Sequence, residues 1–160
     1  MVRFVELVKQ ELILDGVEYR DREDALRSMA GLLVEQGYCR QPFVEEILER
    51  ERHHPSGLPM PGPKIAIPHT DATYVNSSVL LFARLKSPVE FGTMGSPESP
   101  LEVGMISMFA LKEPKQIGDL LETLINVYQD VEVLEAIARA SSKEEIYRIL
   151  QTNVEKHGVG

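Results

Sequence analysis

The chain has a single cysteine, Cys39, so no internal disulfide can form, a pattern suited to a reducing compartment. No apolar run approaches the roughly 20 residues that a membrane span needs, which argues against direct membrane insertion. A secretory leader is not expected either, because Glu6, Lys9 and Glu11 interrupt the first residues early. The expected location is therefore cytoplasmic. Positive charge is scarce as well. With 17 Lys and Arg against 25 Asp and Glu, the formal charge is −8, which argues against nucleic acid, whose phosphates must be met by Lys and Arg. Acidity of this kind fits a partner with a basic docking face, or simply keeps a small protein soluble. On charge alone the second reading is the plainer one.

Repeats, low-complexity tracts and linkers are also missing. The 160 residues fit one compact domain with a single substantial core, expected over residues 1–154 with a flexible tail at 155–160. What is present is an alternation of short apolar runs and helical periodicities. Leu12 to Val17, with its Asp15-Gly16 turn, reads as a strand. Asp21 is placed as an N-cap, Ala25, Leu26, Met29, Leu32 and Leu33 follow at helical spacing, and Gly37 supplies a stop. Pro42 can open a second helix carrying Phe43, Val44, Ile47 and Leu48, ending near Arg52 before the His53–Gly57 loop.

A proline- and glycine-rich approach leads to the short strand Lys64–Ile67, which Pro68 ends. Val79–Leu85 and Val103–Ala110 read as strands buried on both faces, with Phe91–Pro100 between them as a loop. Helices are expected from near Pro114 to Val127, after Asp130, and from Ser142, where Glu145 completes a capping box. The chain should fray after Val154. Strands flanked by helices imply an α/β single-domain sandwich. The expected sheet is mixed, with about five strands, and helices cover both faces.

Four histidines could carry chemistry. His157 lies in the weakly patterned tail. His53 and His54 are adjacent, do not converge easily on one metal and lack a third ligand at zinc spacing, so no metal site is expected. His69 differs, since it follows a buried strand directly and sits where a rigid sheet presents its rim. No Gly-x-Ser-x-Gly elbow and no phosphate-cradling Gly-Lys-Ser/Thr loop accompany it. A lone imidazole without such partners suits the role of nucleophile better than that of activator.

The run Lys64–Thr70, KIAIPHT, resembles the active-site signature of phosphotransferase system enzyme IIA domains of the fructose–mannitol superfamily. Arg50-Glu51 followed by Pro55-Ser56-Gly57-Leu58 is similar to that family's upstream pattern. The strand ending at Ala110, the Pro114 turn and the helix with Leu120, Leu121 and Leu124 keep its order. The resemblance covers roughly Glu6 to Leu150.

It implies a phosphotransferase that works through a phosphohistidine at His69, on the tele nitrogen. The phosphoryl group would come from the small carrier protein HPr and pass to a cysteine of a IIB component, serving the membrane IIC permease indirectly. Arg50 would steady the phosphoryl charge with its fork of donors. Thr70 would assist through its hydroxyl or backbone N–H, and Asp71 would orient a ring nitrogen. The protein would act as a monomer and need no cofactor. Mannitol and fructose members carry a second histidine near the start of the helix after the last strand. Here that region reads Pro114-Lys115-Gln116-Ile117-Gly118, and either Gln116 or Ile117 takes the place. This departure is most similar to galactitol-type members, and a regulatory nitrogen-type module is the alternative.

Overall fold

The structure, a computed structural model, describes residues 1–158. Its centre is the pair of long strands β3 (Val79–Thr93) and β4 (Ser96–Ala110), which run antiparallel. Strand β1 (Ile13–Val17) pairs parallel with β3, and the short β2 (Ile65–Ala66) pairs parallel with β4. The mixed sheet therefore has the order β1-β3-β4-β2, four strands where about five are expected from sequence.

Alternation along β3 explains why the sheet needs cover on both sides, because side chains of neighbouring residues point to opposite faces. Leu80 and Phe82 pack into one core with Met105, Phe109 and the helices α3 (Ile117–Tyr128), α4 (Val131–Arg139) and α5 (Lys143–His157). Leu81 and Ala83 pack into the other with Ile106, Met108 and the helices α1 (Arg22–Glu35) and α2 (Pro42–His53). The result is an α/β sandwich with helices on both faces.

Local signals set most helix ends. Asp21 caps α1 by accepting from the Asp24 N–H at 2.8 Å, and Gly37 leaves the helix at φ 84°, a conformation that glycine adopts without strain. Pro42 opens α2 as its first residue. Asp130 and Ser142 cap α4 and α5 through the N–H groups of Glu132 and Glu145. The box at Ser142 is half built, because the Glu145 carboxylate accepts from the Ser141 hydroxyl instead. Helix α5 continues through His157, beyond the expected fraying point, with Val154 1% exposed against the core. Of the expected tail, residues 159 and 160 lie outside the described residues.

The stretch Phe91–Pro100 is a correction. It is a hairpin rather than a loop: β3 and β4 extend past the sheet as a two-stranded ribbon that turns at Met94-Gly95, with Gly95 at φ 83°. The ladder steps from Gly92–Pro100 to Thr93–Ser96, so Pro97, Glu98 and Ser99 bulge out of β4. Bulges tolerate proline, which accommodates Pro97, while the β3 edge of the ribbon is bonded by Gly57, which donates to the Gly92 carbonyl and accepts from the Met94 N–H.

Candidate functional site

Strand β2 ends at Ala66, and the chain after it is fastened at each residue. The Ile67 N–H donates to the Ser56 carbonyl (3.1 Å), and the Pro68 carbonyl accepts from the Phe109 N–H (3.2 Å). His69 is then delivered to the rim of the sheet, 8% exposed, with its ring stacked on Phe109. Its Nδ1 lies 2.8 Å from the Ile67 carbonyl oxygen. A carbonyl can only accept, so Nδ1 carries the proton and Nε2 keeps its lone pair. Burial holds the ring's pKa below its ordinary 6.5; the Ile67 hydrogen bond opposes this and the positive charge of Arg50 adds to it. The imidazole is therefore neutral at pH 7.

A depression of about 410 Å³ opens in front of this ring. The end of α2 and the loop after it contribute Arg50, His53, His54, Pro55 and Ser56. The β3–β4 ribbon contributes Met94, Gly95 and Pro97, and α3 contributes Leu121. Arg50 is exposed and makes no ion pair among the described residues, so its charge is available to an incoming anion. His53 is held by Glu49 at 2.7 Å. A neutral imidazole with one free nitrogen beside an uncommitted guanidinium can attack an electrophilic centre and steady negative charge on it.

Two residues make other contacts than expected. Gln116 does not line the depression. It is 2% exposed and clamps the N-terminal segment, accepting from the Val2 N–H at 3.3 Å and donating to the Val2 carbonyl at 2.8 Å. The α3 side chain that lines the depression is the apolar Leu121, and neither Gln116 nor Ile117 lines it. Asp71 does not orient the ring either. Its Oδ1 accepts from the Thr73 hydroxyl and N–H, which lowers its pKa, and Ile67 holds the ring nitrogen in its place. Thr70 sits beside the site with its hydroxyl donating to Glu46 at 3.1 Å. Burial raises the pKa of the Glu46 carboxyl, against that hydrogen bond.

Two contributions go unseen in the sequence. Phe109 supplies the floor under the ring. Glu51, quoted above only as part of the upstream pattern, accepts from the Ser56 N–H at 2.7 Å and the Ser56 hydroxyl at 2.8 Å. The two halves of that pattern are thus one hydrogen-bonded unit. Gly57 and Gly92 then let this loop lie on the ribbon, since a Cβ on Gly57 would stand 2.5 Å from the Gly92 carbonyl oxygen. Among the described residues no group of three His, Cys, Asp or Glu side chains could hold a metal ion, and no helix is long and apolar enough to cross a membrane.

Known proteins share this architecture. The crystal structure of IIA mannitol from Escherichia coli superposes with a TM-score of 0.71 at 25% identity, covering 89% of this chain and 97% of that one. The galactitol-specific EIIA component of the phosphotransferase system of E. coli K12 is 22% identical over 125 residues, 78% of this chain and 83% of that one. A nitrogen regulatory protein of Bradyrhizobium diazoefficiens is 27% identical over 150 residues, 91% of this chain and 92% of that one. The family pattern of the phosphoenolpyruvate-dependent sugar phosphotransferase system, EIIA 2, spans residues 6–153, and the chain belongs to that family. It is a phosphotransfer component of such a system.

Proposed function

We propose that His69 is the residue that carries the phosphoryl group, on Nε2. The observation behind this is the hydrogen bond from Nδ1 to Ile67, which leaves one nucleophilic nitrogen beside Arg50 in an open depression. In the loading step the Nε2 lone pair forms a bond to phosphorus while the N–P bond of the donor phosphohistidine on HPr breaks and its electrons return to the donor ring. In the unloading step a cysteine thiolate of a IIB component attacks the same phosphorus, and the electrons of the N–P bond return to Nε2. Both steps exchange bonds of similar energy. The protein's task is to set the reactants in line and to spread charge from the three equatorial oxygens onto Arg50. The reading places the chain in the cytoplasm beside a membrane IIC permease. A galactitol-like polyol is the transported substrate, supported by the galactitol-specific relative.

Incubation with phosphoenolpyruvate, enzyme I and HPr should place one acid-labile, base-stable phosphate on the chain. His69→Ala should abolish it, and His53→Ala and His54→Ala should keep most of it at the endpoint. Label that persists without His69 would refute the assignment. The alternative is a nitrogen-type module whose phosphorylation state regulates other proteins, favoured by a relative that matches almost end to end. Rapid transfer of the phosphate to a IIB cysteine selects the transport role, and failure with every galactitol-type or mannitol-type IIB selects the regulatory one.

A further inference from the structure

Glu51 is the one acidic side chain buried among the described residues, 4% exposed, and the chemistry above makes no direct use of it. Burying a carboxylate is costly unless every oxygen finds a donor. Here both donors come from one residue, with Oε2 bound to the Ser56 N–H at 2.7 Å and Oε1 to its hydroxyl at 2.8 Å. Ser56 is tied onward to the strand that delivers the site. Its carbonyl accepts from the Ile67 N–H at 3.1 Å, and the Ile67 carbonyl accepts from His69 Nδ1 at 2.8 Å. Three successive attachments therefore lead from the last turn of α2 to the ring. The same turn carries Arg50, one residue before Glu51.

We propose that Glu51 is a positioning residue for phosphoryl transfer, whose carboxylate acts through Ser56 and Ile67 to hold the His69 ring in the tautomer and orientation that present Nε2 to the depression. The proposal rests on the reading of His69 as the phosphoryl acceptor. It differs from a purely structural role because hydrogen bonds to a charged acceptor are shorter and stronger than those to a neutral one. Removing the charge should loosen the ring while the loop stays folded.

The environment of Glu51 makes that charge titratable near neutrality. Burial pushes its carboxyl up to about 7, against the Ser56 hydrogen bonds and the charges of Arg22 on α1 and Arg50 on α2. A separate hollow of about 500 Å³ borders the same residue and adds Arg20, Asp21 and Glu23 of the α1 end, Arg52 of α2, Glu90 of β3 and Glu102 of β4. Below about pH 7 the carboxyl gains a proton and offers Ser56 a weaker, uncharged acceptor. The His69 nucleophile is lost only at lower pH, because its own pKa lies below 6.5.

The test is the rate of transfer from phospho-HPr across the neutral range, with 15N NMR of the His69 ring. Wild type should show two acid limbs, the upper one from Glu51. Glu51→Gln keeps the shape and should remove the upper limb. Glu51→Ala should slow transfer by about tenfold through misplacement of the nucleophile and replace the single Nδ1–H tautomer by a mixture. Folded Glu51→Ala protein with wild-type rate and ring shifts would overturn the proposal. Should Glu51→Ala fail to fold, the wild-type titration decides: the ring shifts should report a second midpoint near 7, and its absence overturns the proposal. Endpoint label separates the two readings, since phosphate retained in His69→Ala defeats the acceptor assignment, whereas label lost with His69 but indifferent kinetics at Glu51 defeats only the positioning role.

Discussion

The ring of His69 lies flat against that of Phe109, with centroids 4.8 Å apart and planes 7° from parallel. Phe109 is fully buried and also donates its N–H to the Pro68 carbonyl, so it fixes both the ring and the peptide that leads to it. Phe109→Ala should cost about 3–5 kcal/mol of stability, the usual range for emptying a buried aromatic site. Phe109→Leu should cost less, about 1.5 kcal/mol or under, yet slow transfer by more than its stability loss explains, because the flat support is gone. Urea unfolding and transfer kinetics on the same samples separate the two effects.

Arg50 is predicted to act on charge that develops during transfer. Arg50→Ala should lower the transfer rate by about 10- to 100-fold, at or below the range for removing one preorganised donor, without changing the unfolding midpoint. Arg50→Lys should recover part of the loss, since an ammonium keeps the charge but not the fork. Unchanged rates in Arg50→Ala would leave the guanidinium as solvated surface.

Gln116→Ala should leave transfer untouched at every pH, because its amide holds Val2 and not the site. The loss of two hydrogen bonds from a buried group should cost about 1–3 kcal/mol and speed amide exchange in residues 1–8. Slower transfer in this variant would return Gln116 to the site.

Stability should depend on pH through Glu51. Its folded value of about 7 exceeds the ordinary 4.5. The associated stabilisation is thus complete below pH 4.5 and is lost as pH rises through about 7. The linked change is of order 3 kcal/mol. Glu51→Gln should lack it, so the difference in unfolding free energy between wild type and variant should change across this window. His69 contributes with the opposite sign, its depressed value withdrawing stability as pH falls, and it cancels in the comparison. A constant difference would show that Glu51 is not desolvated as described.

Much of the fold was legible because its signals are local. Asp21, Asp130 and Ser142 mark helix starts through bonds within a few residues and Pro42 marks one through its fixed φ, and both-face burial of Val79–Ala83 in β3 is written in their unbroken apolar run. His69 could be singled out because a proline ends its strand. The ribbon was not legible, since Gly92, Gly95, Pro97 and Pro100 look like breakers. They are accommodated only because the ribbon outruns β1 and β2 and a bulge absorbs the extra residues. Gln116 was misplaced for a different reason. Its partner is 114 residues away, and no local pattern announces a contact between the chain's first residues and the start of α3. The role of Glu51 was hidden in the turn after α2, where the way the helix ends decides which side chain meets Ser56.

The bond between His69 and Ile67 also constrains traffic. With Nδ1 committed, the ring has one nitrogen to offer and one mouth through which to offer it. Under the proposed chemistry a donor and an acceptor cannot be served together, so each must leave before the other arrives. Transfer then alternates between two half-reactions with no ternary complex, and double-reciprocal plots against either partner should be parallel. Excess unphosphorylated acceptor should obstruct loading, and a surplus of spent donor should obstruct delivery. The carrier's throughput thereby has a ceiling in how quickly its partners exchange places.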